Sequence, residues 1–288
     1  MTRLLTTALT AALLCLPLIG PASPAAAADA TAAAKKPAAI KPNHAKQMHA
    51  LISSNKIVGA EIIGNGPDNP SVATISDVVM TKDGKGVYAI ATVGATLGLG
   101  GNSIAIPVNA LNCECRMVDG EKNCSVKIDK TAEQLEAAPE VSLEGYEDVT
   151  VASFVDRNNR FYGADAAETF ASRDDMMCAS KLTDAAVYCD SEEECGTLEA
   201  LIVDAADHQA KYAIIGDGAT LGIGEKYSAV PFEALNFKMD REGNVRVMIN
   251  AEARVIGAAP KVTPSDYPEL DKDAFRKDVS KALAATRS

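Results

Sequence analysis

An internal repeat constrains this chain more than any other feature of its sequence. Residues 94–112 read GATLGLGGNSIAIPVNALN and residues 218–236 read GATLGIGEKYSAVPFEALN, with 11 of the 19 aligned positions identical and no gap. Two unrelated segments of average composition would share roughly one position. A repeat of this kind is typical of a duplicated structural unit. The sequence therefore predicts two copies of one small domain and not one large core.

The first 28 residues have the order of parts found in a secretory signal peptide. A single basic residue, Arg3, precedes an apolar stretch from Leu4 to Ile19, and small residues follow at Ala25 to Ala28. This order predicts export, with cleavage after Ala28, to a bacterial periplasm. The apolar stretch is short for a bilayer span, so we expect no membrane span. Residues 29–47, rich in Ala, Lys and Pro, are expected to form a flexible linker.

The charge of the exported chain bears on its partners. Removing Arg3 with the signal leaves 27 basic residues against 39 acidic ones, a net charge of −12. Such a charge repels phosphates, which argues against nucleic acid and against anionic lipid as partners. Solubility is the simplest reason for the charge, and a basic protein partner is the alternative.

Six cysteines remain after cleavage, and an even number in an exported chain indicates disulfides. A turn at residues 119–120 would place Cys115 opposite Cys124. Cys189 and Cys195 flank a second turn, so we expect them to pair as well. Elimination then leaves a bridge between Cys113 and Cys178. A metal site is the rival interpretation, but the chain lacks the paired Cys-x-x-Cys spacing that zinc sites use, and we expect no metal or cofactor.

The repeats themselves have the alternation of β-strands. Leu198, Ala200 and Ile202 alternate with Glu199 and Leu201, which places one set of side chains inward. Frequent turn signals, including Asp83-Gly84 and Asp119-Gly120, separate such runs. Short strands between tight turns predict a mainly β fold of two tandem small antiparallel β-barrels, with short helices and a C-terminal helix.

Several motifs of the second repeat resemble the PRC-barrel family, which is named for the photosynthetic reaction-centre H subunit. They are Ala179–Leu182, Lys211–Ile214, Leu221–Lys226 and Val230–Leu235. The first repeat has related motifs at Val87–Ile90 and Ile106–Leu111, and it departs from the second at Gly101-Asn102. The resemblance implies a small β-barrel used for docking and assembly, with no shared catalytic residues.

The repeat unit continues beyond each barrel into an appendix. Tyr146 and Phe154 after the first barrel have the same spacing as Tyr267 and Phe275 after the second. These aromatics are expected to anchor the appendix on its own barrel, and a partner-binding surface is the alternative. In the last segment Phe275, Val279 and Leu283 recur every four residues, which predicts a helix with one apolar face.

Each glycine-rich loop has an apolar tip that needs a contact. The tips are Leu97 and Leu99 in the first copy, and Leu221 and Ile223 in the second. The loops lack the lysine of a phosphate-binding loop. Exposed apolar residues at such tips favour an interface, and the other repeat is the nearest candidate. We therefore expect the four side chains to be buried between two paired repeats, a pseudo-dimer within one chain.

These observations predict a specific domain order and a non-enzymatic role. We expect a signal peptide (1–28), a linker (29–47), a first barrel (48–140), a connecting appendix (141–177), a second barrel (178–260) and a C-terminal appendix with its helix (261–288). His44 and His49 lie in or next to the linker, and His208 lies in a polar turn of the second barrel, so no nucleophile–base pair is evident. The expected function is a docking or scaffold protein that assembles with another envelope protein. A small-ligand-binding protein is the alternative, and an enzyme is disfavoured.

Overall fold

The described structure is mainly β, with more strand than helix, and its strands form two mixed sheets. The computed structural model describes residues 50–94, 100–118, 121–163, 169–190, 193–216, 226–239, 245–264 and 267–284. The predicted signal peptide and linker lie outside these residues. Everything described below belongs to one compact unit, residues 40–288.

The strands range from two to eleven residues, and tight turns join several of them, as the alternation of the sequence predicts. They are β1 (Leu51–Ser53), β2 (Glu61–Ile63), β3 (Ser71–Thr81), β4 (Gly86–Val93), β5 (Asn102–Pro107), β6 (Leu111–Val118), β7 (Glu121–Ile128), β8 (Met176–Cys178), β9 (Ala185–Tyr188), β10 (Glu194–Asp204), β11 (Gln209–Gly216), β12 (Tyr227–Pro231), β13 (Leu235–Met239), β14 (Val245–Ile249) and β15 (Lys261–Val262). The helices are α1 (Ser54–Ile57), α2 (Ala132–Glu136), α3 (Ala152–Tyr162), α4 (Ala179–Leu182), α5 (Ala253–Ala258) and α6 (Asp273–Ala284).

The two sheets have the same internal strand order. The first runs β5-β4-β3-β2-β7-β6, and the second runs β12-β11-β10-β9-β14-β13, with β15 added beside β12. In both sheets a proline ends one strand, Pro107 or Pro231, and a 3₁₀ turn leads into the next. The duplicated sequence therefore produces the same arrangement of strands twice.

The expectation of closed antiparallel barrels is wrong in two respects. Two strand pairs are parallel, β2 with β7 and β9 with β14, so the sheets are mixed. The sheets also do not close. The first sheet ends at β5 and β6, and the second ends at β13 and at β15, which lies beside β12. Proline has no N–H to donate, and the 3₁₀ turn after it redirects the chain. Consecutive strands on either side of that turn consequently do not pair.

Each sheet receives one strand from the segment that precedes the other repeat. Strand β1 pairs antiparallel with β10 of the second sheet, with Ser53 opposite Ile202. Strand β8, which comes just before the second repeat, pairs antiparallel with β3 of the first sheet, with Cys178 opposite Val79. The exchange is reciprocal, because β1 and β8 occupy corresponding places before their repeats. The two sheets are tied together by backbone hydrogen bonds.

The turns of two hairpins also meet. Gly86 N–H donates to the carbonyl of His208 at 2.8 Å, and Ala210 N–H donates to the carbonyl of Gly84 at 2.9 Å. The Lys85 ammonium donates to the carbonyl of Asp207 at 2.6 Å. These contacts join the β3–β4 turn to the β10–β11 turn.

The central strands are buried on both faces. On β4, Ala89 and Ala91 pack on the inner face of the first sheet, while Tyr88 and Ile90 pack on its outer face beneath α3. Strand β11 repeats the pattern, with Ile215 on the inner face and Ile214 beneath α6. A period of two with both faces apolar produces this double burial. The appendices thus serve as covers for the outer faces.

Candidate binding groove

The four apolar loop tips expected at an interface lie outside the described residues. Leu97 and Leu99 fall in the gap at 95–99, and Leu221 and Ile223 fall in the gap at 217–225. Their burial between the repeats stays a prediction. The contacts between the sheets that the structure does show are the exchanged strands and the paired turns.

The two appendix tyrosines have the same local structure. Tyr146 and Tyr267 each precede a 3₁₀ turn in a left-handed backbone conformation, with φ of 55° and 48°. Tyr146 packs against the cluster that contains Phe154, and Tyr267 is buried within the corresponding cluster of the second sheet. Both act as anchors on their own sheet, so the alternative of a free partner surface does not hold for Tyr267.

The apolar stripe of the C-terminal helix is also used within the chain. Val279 is fully buried against Ile214 and Ala229, and Phe275 packs at the edge of the same cluster. Val279 is therefore not open to another protein, because the outer face of the second sheet already covers it, whereas Phe275 is only partly buried and its interface role stays a prediction. The side chain of Leu283 lies outside the described residues.

Two of the three expected cysteine pairs are present. Cys115 bonds Cys124 across the β6–β7 hairpin with an S–S distance of 2.04 Å. Cys189, just after β9, bonds Cys195 near the start of β10 with an S–S distance of 2.15 Å. The third pairing, found by elimination, is wrong, since Cys113 and Cys178 are free thiols. Cys113 packs on the inner face of the first sheet and Cys178 on its outer face, so the sheet separates them.

A groove runs beside α6, on the side where Arg276 and Ser280 lie. Its deeper part, about 640 Å³, lies between α6, the end of β10 and the start of β11. A shallower part of about 420 Å³ continues along α6 past Tyr212. Apolar atoms of Leu51, Ala210, Pro231 and Phe232 contribute to the lining. We refer to both parts together as the α6 groove.

The two ends of the α6 groove carry opposite charge. Asp83 and Glu233 are exposed at the deeper end. Arg276, Lys277 and Lys281 line the shallower end together with Asp273, which pairs with Arg276, so its excess positive charge comes from the exposed Lys277 and Lys281, one helical turn apart. In a chain with a formal charge of −11, this basic end is a local exception, and it favours a ligand that carries a carboxylate.

Tyr212 lies where the two parts of the groove meet. Burial raises the pKa of its phenol above the ordinary value, against the opposing influence of Arg276 and Lys211. The phenol is therefore neutral at physiological pH and can both donate and accept a hydrogen bond. Its half-buried ring offers an apolar surface beside the basic end, a combination common where proteins bind peptides.

Two polar side chains of the α6 groove, Ser280 and Arg276, are already engaged in contacts within the chain. The hydroxyl of Ser280 donates to the carbonyl of Arg276 at 3.1 Å, so a helix contact already uses it. Its neighbouring side chain, Arg276, donates to the carbonyl of Leu270 at 2.9 Å and pairs with Asp273. A guanidinium does not act as a general base at neutral pH. The groove thus offers charge and shape to a ligand.

Metal binding and membrane crossing each require a recognisable arrangement of residues. Across the described ranges, no three His, Cys, Asp or Glu side chains are grouped so as to hold a metal ion. Among the helices that the structure describes, none has the length and apolar composition needed to cross a membrane.

Sequence reasoning missed the most important residues of this region. Arg276, Lys277 and Lys281 lie on α6, and the sequence analysis considered only the apolar stripe of that helix. The signal was available, because Lys277 and Lys281 lie on the side of the helix opposite Val279 at helical spacing. Tyr212 belongs to a motif that was noted only for its resemblance to a family. Its place beside α6 depends on the tertiary fold.

Comparison with known proteins bears on the second repeat. Residues 174–254 match the family described as PRC-barrel domain. The matched range begins just before β8 and ends in α5, so it contains the second repeat together with the strand that this repeat lends to the first sheet. No curated protein matches the chain.

Proposed function

We propose that this chain, which carries a PRC-barrel domain at residues 174–254, is a non-catalytic docking protein of the bacterial periplasm. Its α6 groove holds an extended segment of another envelope protein. The observation that carries this proposal is the groove itself, an open cleft lined in part by apolar side chains, with the ring of Tyr212 and the exposed Lys277 and Lys281 at its shallower end.

The chemistry of the groove defines the bound segment. A carboxylate of the partner would lie against Lys277 and Lys281, and an apolar side chain beside it would pack on the ring of Tyr212. Attraction between opposite charges speeds encounter and fixes orientation. The acidic end at Asp83 and Glu233 would disfavour the reverse orientation. The charge pattern therefore supports a partner segment with an acidic residue next to an apolar one.

A second part of the proposal concerns organisation. The chain would consist of two PRC-barrel-like domains, 48–140 and 178–260, that act as a pseudo-dimer. The reciprocal exchange of β1 and β8 supports this, as do the reciprocal hydrogen bonds between the hairpin turns. Such a pair would hold the α6 groove in a fixed position, because residues of both repeats line it, including Leu51 and Asp83.

The periplasmic location rests on the signal-like residues 1–28 and on the two disulfides. Disulfides persist in oxidising compartments and are uncommon in the cytosol. We expect protein recovered from the periplasm of its host to begin at Asp29, which intact-mass measurement would show. A mass that retains residues 1–28 would contradict the export proposal.

Site-specific crosslinking in cells tests the docking role. A photo-reactive amino acid at Ser280, which is exposed in the groove, should capture a defined set of envelope proteins. The double variant Lys277→Glu/Lys281→Glu should abolish that capture. A matched control, Lys238→Glu/Arg157→Glu, changes the charge equally at exposed positions outside the groove and should leave capture intact. Capture that survives reversal of the basic end, or no capture at all, would contradict the proposal.

A further inference from the structure

A second cavity lies where the inner face of the first sheet meets residues of the second repeat, and it has a different character from the α6 groove. It has a volume of about 80 Å³ and is bounded by the inner face of the first sheet, by α1 and by the β10–β11 turn. Aliphatic residues make most of its wall, among them Ile57, Ile75, Val126 and Val203. No charged side chain lines it. An apolar cavity of this kind excludes water and accepts apolar molecules.

The second repeat shows what would fill this space. In the ungapped alignment of the repeats, Val108 corresponds to Phe232 and Cys113 corresponds to Phe237. The two phenylalanine rings stack with their centroids 5.5 Å apart in the core of the second sheet. In the first repeat, Val108 and Cys113 both line the cavity instead. The smaller Cys113 therefore leaves space in the first repeat that Phe237 fills in the second, and Val108 faces the same cavity.

The hairpin turns show the same exchange in volume. Gly84 has φ of 85°, and a Cβ added there would lie 2.5 Å from the ring of Phe232, so glycine makes room for that ring. The aligned residue of the second repeat is His208, which also lines the cavity. His208 adopts a left-handed conformation with φ of 57°. The small Val108 is thus accompanied by the large His208, whereas the large Phe232 is accompanied by Gly84.

The polar groups in the wall are few and neutral. The hydroxyl of Ser54 accepts a hydrogen bond from Leu201 N–H at 3.0 Å, so it is already used. Burial, with Glu114 adding to it, raises the pKa of the Cys113 thiol to about 11, which keeps it protonated. Burial and Lys85 lower the pKa of His208, which keeps its imidazole neutral at pH 7. A charged ligand would therefore find no counter-ion.

We propose that this cavity is a binding site for a neutral aliphatic molecule, whose chain end occupies the space that Phe237 fills in the second repeat. The volume favours a narrow chain over a ring, because an engineered cavity that binds benzene measures about 150 Å³. His208 is the wall residue able to exchange a hydrogen bond with a neutral polar head at the chain's outer end. This site is separate from the α6 groove and does not depend on docking.

Titration with 1-hexanol, followed by NMR of ¹³C-labelled methyl groups, tests the site directly. We expect saturable shifts confined to methyl groups that line the cavity, such as those of Val108, Val126 and Ile75. The variants Cys113→Phe and Val108→Phe install the side chains of the second repeat and should weaken binding at least tenfold. Cys113→Ala is the matched control, because it removes the thiol without filling the space, and it should bind at least as well.

The outcomes separate cavity binding from general solvent effects. Absence of saturation, or equal shifts in the two filled variants, would overturn the proposal. If a phenylalanine prevents folding, Val108→Leu provides a smaller filling that should still weaken binding. Tighter binding of benzene than of 1-hexanol would overturn the assignment of a narrow chain. A final variant, Phe237→Ala, should create a second hexanol site in the other repeat, and its failure to do so would contradict the volume argument.

Discussion

The carboxylate of Asp77 accepts a hydrogen bond from the hydroxyl of Ser180 at 2.5 Å, although the two residues are 103 positions apart. Asp77 lies on β3 of the first sheet, and Ser180 lies on α4, just after β8. The same carboxylate accepts from the backbone N–H of Ser180 at 3.0 Å and of Val78 at 2.8 Å. Asp77 is only 1% exposed. It thus fixes the start of the second repeat onto the first sheet.

Replacing Asp77 should destabilise the protein strongly. The variant Asp77→Ala leaves two N–H groups and one hydroxyl without their acceptor, at a cost of about 2 kcal/mol in the free energy of unfolding. Urea denaturation measures this cost. Asp156→Ala, at an exposed position on α3, is the control and should change stability by less than about 0.5 kcal/mol. Equal effects at the two positions would contradict the role of Asp77.

The cysteines should titrate as two bridges and two thiols. Exported protein should show two reactive thiols after unfolding without reductant, from Cys113 and Cys178, and almost none when folded, because Cys178 is buried and Cys113 is partly buried. Loss of the Cys189–Cys195 bridge in a double serine variant should cost about 2 kcal/mol. Peptide mapping without reduction checks the pairing, and a Cys113–Cys178 peptide would refute it.

Stability should fall as the pH drops through the range of His208. Burial, aided by Lys85, lowers the folded pKa below the ordinary value of 6.5, while Asp207 and Asp204 oppose the shift. The unfolded chain then binds the proton more readily than the folded chain. Stability is therefore fully present above pH 6.5 and declines as pH falls from there toward the folded pKa, by at most about 1.4 kcal/mol per pH unit.

The variant His208→Asn isolates this contribution. Asparagine tolerates the left-handed backbone that His208 adopts, and it does not titrate. Urea unfolding between pH 7.5 and pH 5 should show a flatter dependence for the variant than for the original protein. Parallel curves for the two proteins would show that His208 does not couple folding to pH.

The C-terminal helix should prove to be part of the core. Val279→Asp places a carboxylate where the side chain is fully buried, and we expect a loss of about 3 kcal/mol or more in the free energy of unfolding. Ser280→Asp makes the same residue at the adjacent exposed position and should be nearly neutral. If Val279→Asp left stability unchanged, α6 would not cover the second sheet in solution.

Local patterns allowed several features to be predicted correctly. Two-residue periodicity predicted strands, and the turn before Glu121 fixed the register that places Cys115 opposite Cys124. The spacing of Tyr146 and Tyr267 predicted two equivalent appendices. These features depend on residues close together in the chain, so sequence distance is a good guide to them.

Long-range features were not predictable in this way. Elimination paired Cys113 with Cys178 because it could not show that the first sheet lies between them. The stripe of Phe275 and Val279 predicted an apolar helix face correctly, but a stripe does not say which surface will cover it. The α6 groove was missed because Tyr212, Arg276 and Leu51 come together only after three separate segments pack.

The sequence by itself determined that one β unit occurs twice, since the repeat and its alternation are local properties. Only the tertiary structure decided that each unit lends a strand to the other sheet. A three-residue strand such as β1 or β8 carries too little pattern to specify its partner, and backbone hydrogen bonding is the same for every partner. The cavity beside Cys113 has the same origin. Cys113 and Phe237 occupy aligned positions, but whether the lost volume remains open depends on how far the surrounding core can collapse.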